Sequence, residues 1–131
     1  MGTNVYLHHD VCTCCGRPGA VVHIGKSSAG WVWLWRGYRG FEAEDLPFGR
    51  EITSGDDWWE VLAGSLGGER LGRIVDEYGT TYTLDALRYW VARKRRAGRR
   101  GKRYVPFAGG VLMDTETYPD GPDDISFREF A

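Results

Sequence analysis

All three cysteines and all three histidines of this chain fall between residues 8 and 23. Cys12 and Cys15 stand at the Cys-x2-Cys spacing, at which one tight turn aims two thiolates at a single ion. Gly16 follows directly and suits a metal knuckle, where the backbone turns closely and its N–H groups point at sulfur. Two thiolates with two imidazoles match tetrahedral Zn²⁺, so Cys12 and Cys15 are read as ligands together with His23. His8 takes the fourth position, because in a strand running from Val5 it points to the same side as Tyr6 and away from His9. His9 and Cys14 are the alternatives for that position. Four protein ligands leave no open site for water, so the expected zinc is a structural staple rather than a catalyst. Its removal is expected to unfold the domain, since structural zinc contributes on the order of 10 kcal/mol to folding.

A second cluster is purely electrostatic. Arg93, Lys94, Arg95, Arg96, Arg99, Arg100, Lys102 and Arg103 make eight positive residues in eleven with no acid among them. The whole chain is near neutral at −1, so this is a concentrated patch on an otherwise acidic body. Such a patch suits phosphate backbones of DNA or RNA, with steep salt dependence. Two plainer explanations compete: a solvated helix end favoured by the dipole, and pairing with the six carboxylates between Asp114 and Glu129.

Gly25-Lys26-Ser27 matches the second half of a phosphate-binding loop. The match stops there, because position 20 is Ala where the first glycine belongs. A turn of Lys26, Ser27 and Ser28 still offers donors for one phosphate, against the alternative of a tight turn whose serines satisfy their own backbone. Trp31, Trp33 and Trp35 alternate along a strand and share one face. Aromatics in a row stack bases or a flat ligand, but in a domain of this size they more often form core. For catalysis the inventory is thin. His9-Asp10 beside a metal suggests a zinc-dependent nuclease, yet no further histidine follows and no spaced carboxylate pair demands it. The expectation is no enzymatic activity.

These groups need elements to hold them. At 131 residues, 42% hydrophobic and 14% aromatic with six tryptophans, the chain suits one domain, 1–131. Residues 3–8 and 20–25 read as strands of a zinc-pinned hairpin (3–25), residues 26–30 as a turn, and 31–36 as a central strand. Residues 37–55 read as a long loop. A helix over about 56–64 starts at Ser54 or Asp56 and buries Trp58, Trp59 and Leu62. Residues 70–83 read as a strand pair or an extended turn around Gly79. Thr83 caps the best helix, about 84–97, with Leu84, Leu87, Trp90 and Val91 inward and Gly98 as its stop. The basic segment 93–103 follows, then apolar stretches at 104–107 and 111–113. An acidic segment, 114–131, ends in a strand at 125–130. The fold class expected is α+β, a small, mostly antiparallel sheet with two packing helices. Clustered cysteines, odd in number, favour a reduced compartment over a disulfide framework, and no stretch approaches a membrane span.

Met1-Gly2-Thr3-Asn4-x-Tyr6, Cys12-x2-Cys15-Gly16-Arg17 and His23-Ile24-Gly25-Lys26-Ser27-Ser28-Ala29-Gly30-Trp31 together resemble a family of small proteins of tailed bacteriophages. A tryptophan opening the mid-chain helix, Asp76-Glu77-Tyr78-Gly79 and Phe127-Arg128-Glu129-Phe130 extend the likeness to the far end. Residues 37–50 and 93–103 are longer than in the compact members. The resemblance implies an origin and site positions; it transfers no activity. The resulting expectation is a zinc-binding phage accessory protein in the host cytoplasm. It would bind a host component, nucleic acid or a machine built on it, and no membrane. The alternatives are a protein that sequesters a phosphorylated signalling nucleotide of host defence, through Lys26–Ser28 and the tryptophan face, and the zinc-dependent nuclease.

Overall fold

Val5 and Leu7 alternate with Asn4, Tyr6 and His8, and the period of two places them on opposite faces of a strand. In the computed structural model of the chain, which describes residues 2–29, 31–67, 72–97, 115–117 and 124–128, that strand is β1 (Gly2–His9). It pairs antiparallel with β2 (Ala20–Ser28), from Gly2 opposite Ser28 to His9 opposite Ala20, with a bulge between Val5 and Tyr6. The other edge of β1 takes β4 (Arg73–Asp76), which turns back into β5 (Thr81–Tyr82). On the far side of β2 lie β3 (Leu34–Arg36), β7 (Asp124–Ser126) and β6 (Thr115–Thr117). The seven strands form one sheet in the order β5-β4-β1-β2-β3-β7-β6, antiparallel everywhere except between β3 and β7. The fold is α+β, as expected: a mostly antiparallel sheet with helices packed against it.

Two longer helices cover one face. α2 (Gly55–Gly67) begins where Ser54 Oγ accepts the Asp57 N–H at 3.3 Å, a serine cap. Asp56 and Asp57 sit in its first turn, favourable with the helix dipole. α3 (Leu84–Ala97) begins where Thr83 Oγ1 accepts the Ala86 N–H at 3.0 Å. Trp58 and Leu62 from α2, with Leu87 and Val91 from α3, meet Val5, Leu7, Val22, Ile24, Trp35 and Ile74 from the sheet in one buried cluster. Aromatic edges tie the layers: Trp35 meets Trp59 at 5.0 Å between centroids, and Trp33 meets Trp90 at 5.5 Å.

Several boundaries differ from expectation. Lys26, Ser27 and Ser28 are not a turn: β2 runs through them because Asn4, Thr3 and Gly2 continue the ladder opposite. The tryptophan-rich strand is only Leu34–Arg36, though its place between β2 and β7 is interior. The loop at 37–55 contains a single helical turn, α1 (Phe41–Glu44), and a bridge between Tyr38 and Ile52. Arg36 is buried there: it donates to Gly37 O, to Phe127 O at 3.2 Å and to Glu42 Oε2 at 2.6 Å, and lies over the Tyr38 ring. It thereby ties the start of the loop to the chain just after β7. The expected apolar stretches at 104–107 and 111–113 fall outside the described residues. Among those residues no helix is long and apolar enough to cross a membrane.

The β4–β5 turn carries an ionic anchor. Asp76 Oδ2 accepts from Tyr82 OH at 2.6 Å, and Oδ1 accepts the N–H groups of Tyr78 and Thr80, each at 2.9 Å. Burial pushes the Asp76 carboxyl up, but these bonds outweigh it and hold the group below the usual carboxylate range. Burial and the Asp76 charge push Tyr82 up to about 12. The signs follow. A depressed carboxyl stabilises the fold above its unfolded pKa of about 3.9, and that stability is lost as pH falls through the folded value. A raised phenol stabilises below about pH 10 and loses that contribution as pH rises toward its folded value. Asp76→Asn is expected to cost about 2 kcal/mol at neutral pH and to flatten the acid limb of stability, read as urea midpoints across pH. A D76N variant with unchanged acid dependence would remove Asp76 as the source.

Candidate functional site

The loop joining β1 to β2 holds the three cysteines. Cys12 N–H donates to Arg17 O and Gly16 N–H to Cys12 O, both at 2.9 Å, closing residues 12–17 into a compact turn. Gly16 has φ +73°, a left-handed conformation that glycine adopts without strain, and a Cβ there would touch nothing. The nearby backbone N–H groups of Cys15 and Cys14, with the adjacent thiols, hold the Cys12 thiol below its usual pKa. All three thiols are reduced and exposed.

The histidines lie elsewhere. His23 is three residues into β2 and opposite Tyr6, about 10 Å along the strand from where the hairpin loop begins. It is buried, its Nε2–H donates to Asn4 Oδ1 at 3.0 Å, and its ring stacks on Tyr6 at 4.9 Å. His8 sits opposite Val21 and Arg73, and burial followed by the Arg73 charge lowers its pKa. His9 ends the ladder with its ring edge-on to Phe48, and Ser65 Oγ lies 3.5 Å from Nδ1. The expected set of His8, Cys12, Cys15 and His23 is therefore not assembled. Among the described residues, no three Cys, His, Asp or Glu side chains are placed to hold an ion. The reason is physical: seven residues lie between Cys15 and His23, and an extended strand carries its residues away at about 3.3 Å each.

The Lys26–Ser28 turn and the tryptophan row also change meaning. In a β-ladder, Lys26, Ser27 and Ser28 do not form the nest of N–H groups that a phosphate turn needs. Gly25 belongs to packing. A Cβ there would sit 2.5 Å from Leu34 O and 2.6 Å from Trp33 Cζ2. Gly25→Ala is expected to destabilise by about 2 kcal/mol through overpacking, measured by urea unfolding; an unchanged midpoint would contradict this close approach. Trp33 and Trp35 are core, 2% and 0% exposed, and each buries an indole N–H without an acceptor among the described residues. Trp31 alone of the three is exposed, at 42%. The three do not present one aromatic face.

Two of the candidate constellations do meet. Lys94 of α3 donates to Ser28 O at 2.6 Å, and the same carbonyl accepts the Trp31 N–H at 3.1 Å. The turn that carries exposed Trp31 is thus fastened to the basic end of α3. Arg93 is exposed beside Lys94, and Tyr89, 65% exposed, lies one turn earlier on the same helix face. Tyr89 had no signal in the chain beyond its spacing from Arg93. Arg95 and Arg96 belong to the last turn of α3; Arg99, Arg100, Lys102 and Arg103 lie outside the described residues. Comparison with protein-family models, curated proteins and solved structures finds no match. What the protein does must therefore be argued from these sites.

Proposed function

We propose that this chain is a non-enzymatic, zinc-binding phage accessory protein that acts in the host cytoplasm by binding nucleic acid. The contact surface is the basic end of α3, from Arg93 into the 99–103 segment, with Trp31 and Tyr89 as stacking groups. The observation that carries the reading is the shared Ser28 carbonyl, which sets an exposed tryptophan against a helix end dense in arginine. Cations that track a phosphate backbone beside aromatic rings that take bases are how sequence-tolerant single-strand binders work. Zinc is held at the hairpin tip by Cys12 and Cys15. The phage assignment rests on the sequence resemblance.

The signalling-nucleotide reading is less well supported, because the residues assigned to it, Lys26–Ser28, Trp33 and Trp35, lie in the ladder and the core. Native mass spectrometry of the protein purified from a bacterial host at low salt separates the classes. Co-purifying oligonucleotide, released by nuclease or high salt, is the expected result. A stoichiometric mononucleotide would favour sequestration instead, and protein free of both that retains no added 20-mer would contradict nucleic-acid binding.

A further inference from the structure

α3 is flanked on both sides by paired cationic and aromatic groups. On the side of β2, Lys94 donates to Ser28 O and so holds the turn that carries Trp31. On the side of α2, the Arg88 guanidinium lies over the Trp59 ring, 5.3 Å from its centroid, a cation–π distance. Between these flanks the outer face of the helix carries Tyr89, Ala92 and Arg93, all exposed, while Leu87 and Val91 face the core. Tyr89 and Arg93 stand four apart and are neighbours on that face. Elsewhere arginines are held by carboxylates: Arg36 by Glu42, and Arg50 by Asp57 at 2.7 Å and Glu60 at 2.8 Å. Arg88 and Arg93 have no carboxylate partner among the described residues, so their charge is open to an anion. Asp85, in the first turn of α3, puts a negative charge one turn before Tyr89, so the positive stretch of the helix starts at Arg88.

We infer that a single strand of nucleic acid crosses α3, from Trp31 over Arg93 and Tyr89 to Arg88 and Trp59, which form a second stacking post. The inference rests on the nucleic-acid reading above and extends its surface to two residues which that reading leaves out. A guanidinium seated on an aromatic ring keeps N–H donors for a phosphate oxygen and offers a plane on which an unpaired base stacks. From Lys94 back to Arg88 the helix axis advances about 9 Å, and a helix is about 10 Å across, so the diagonal is about 13 Å. At about 3.4 Å per stacked nucleotide, that path takes about four nucleotides, the short end of single-strand site sizes. Posts of this kind select single strands, because the bases of a duplex are already stacked on one another and paired.

The test compares the full chain and its variants for binding to a fluorescein-labelled thymidine 20-mer and to a labelled duplex of the same length, by anisotropy across a salt series. Arg88→Ala is expected to weaken single-strand binding about 5- to 10-fold and to reduce the salt slope by about 0.7, with less than about a 2-fold change on the duplex. Arg88→Lys should restore the slope but only part of the affinity, because an ammonium keeps the charge and loses the stacking plane. Arg50→Ala removes an arginine already engaged by Asp57 and Glu60 and should leave binding unchanged. Because Arg88 is exposed and outside the core cluster, its variants should keep the circular dichroism of the parent chain. Parent-like single-strand binding by Arg88→Ala, an equal loss on the duplex, or an equal loss in Arg50→Ala would overturn the track and leave the nucleic-acid reading standing. No binding of either probe by the parent chain would overturn both.

Discussion

Trp58→Ala is expected to be the most damaging single change in the protein, costing about 4 kcal/mol of folding stability. The ring is fully buried at the end of the first turn of α2, edge-on to Tyr38 at 6.2 Å and to Phe48 at 6.0 Å. Its Nε1–H donates to Arg36 O at 2.8 Å. Alanine removes that volume from a site that cannot collapse, because Leu62, Ile52 and Ala43 are themselves fixed in the same cluster. It also removes the indole donor from the backbone carbonyl of Arg36. Against a total of about 5–15 kcal/mol for a typical domain, the loss leaves little in reserve. Chemical denaturation should show the midpoint fall with an unchanged slope. Trp58→Phe separates the two causes: it keeps most of the volume and loses the hydrogen bond, so about 1–2 kcal/mol is expected. A W58A midpoint within error of the parent would contradict the packing described here.

The second large effect concerns binding. Replacing Arg95, Arg96, Arg99 and Arg100 together by alanine is expected to weaken oligonucleotide binding on the order of 100-fold at about 0.1 M salt, with the fold unchanged. Each phosphate contact contributes close to one unit to the slope of log affinity against log salt, so the slope should fall by about three to four units on duplex. Lys94 is left intact in this variant because it fastens α3 to Ser28. Trp31→Ala should act differently. Base stacking on an aromatic is worth roughly 1–3 kcal/mol, so single-strand affinity should drop about 10-fold while duplex affinity and the salt slope stay put. Binding of the four-alanine variant equal to the parent would locate the phosphate contacts elsewhere.

Much of the frame was legible because local signals agreed with the global fold. Thr83 and the spacing of Leu84, Leu87 and Val91 define α3, and Ser54 with Trp58 and Leu62 defines α2. The alternation in β1 and the Gly79 turn between β4 and β5 were equally readable. What misled was contiguity. Lys26-Ser27-Ser28 has the composition of a turn, but its partners Gly2–Asn4 lie over twenty residues away and no local pattern announces the ladder. The parallel pairing of β3 with β7 is longer-range still. Closeness in sequence is no guide to the surroundings of His23 either: it and Cys15 are near neighbours along the chain, yet β2 carries the imidazole into the sheet. The turn at residues 12–17 was legible, since Cys-x2-Cys-Gly encodes a turn and not a distant contact. The function of the basic run depended on what lay beside it. Only the fold brings Trp31 to α3.

The most direct measurement is the affinity of the full chain for a fluorescein-labelled single-stranded 20-mer, by anisotropy, across a salt series from about 50 to 200 mM. Binding through the α3 end predicts a steep linear fall of log affinity with log salt, with slope about −0.7 for each phosphate neutralised and several phosphates involved. A flat salt response, or no binding even at the lowest salt, would contradict the central claim that this protein acts on nucleic acid.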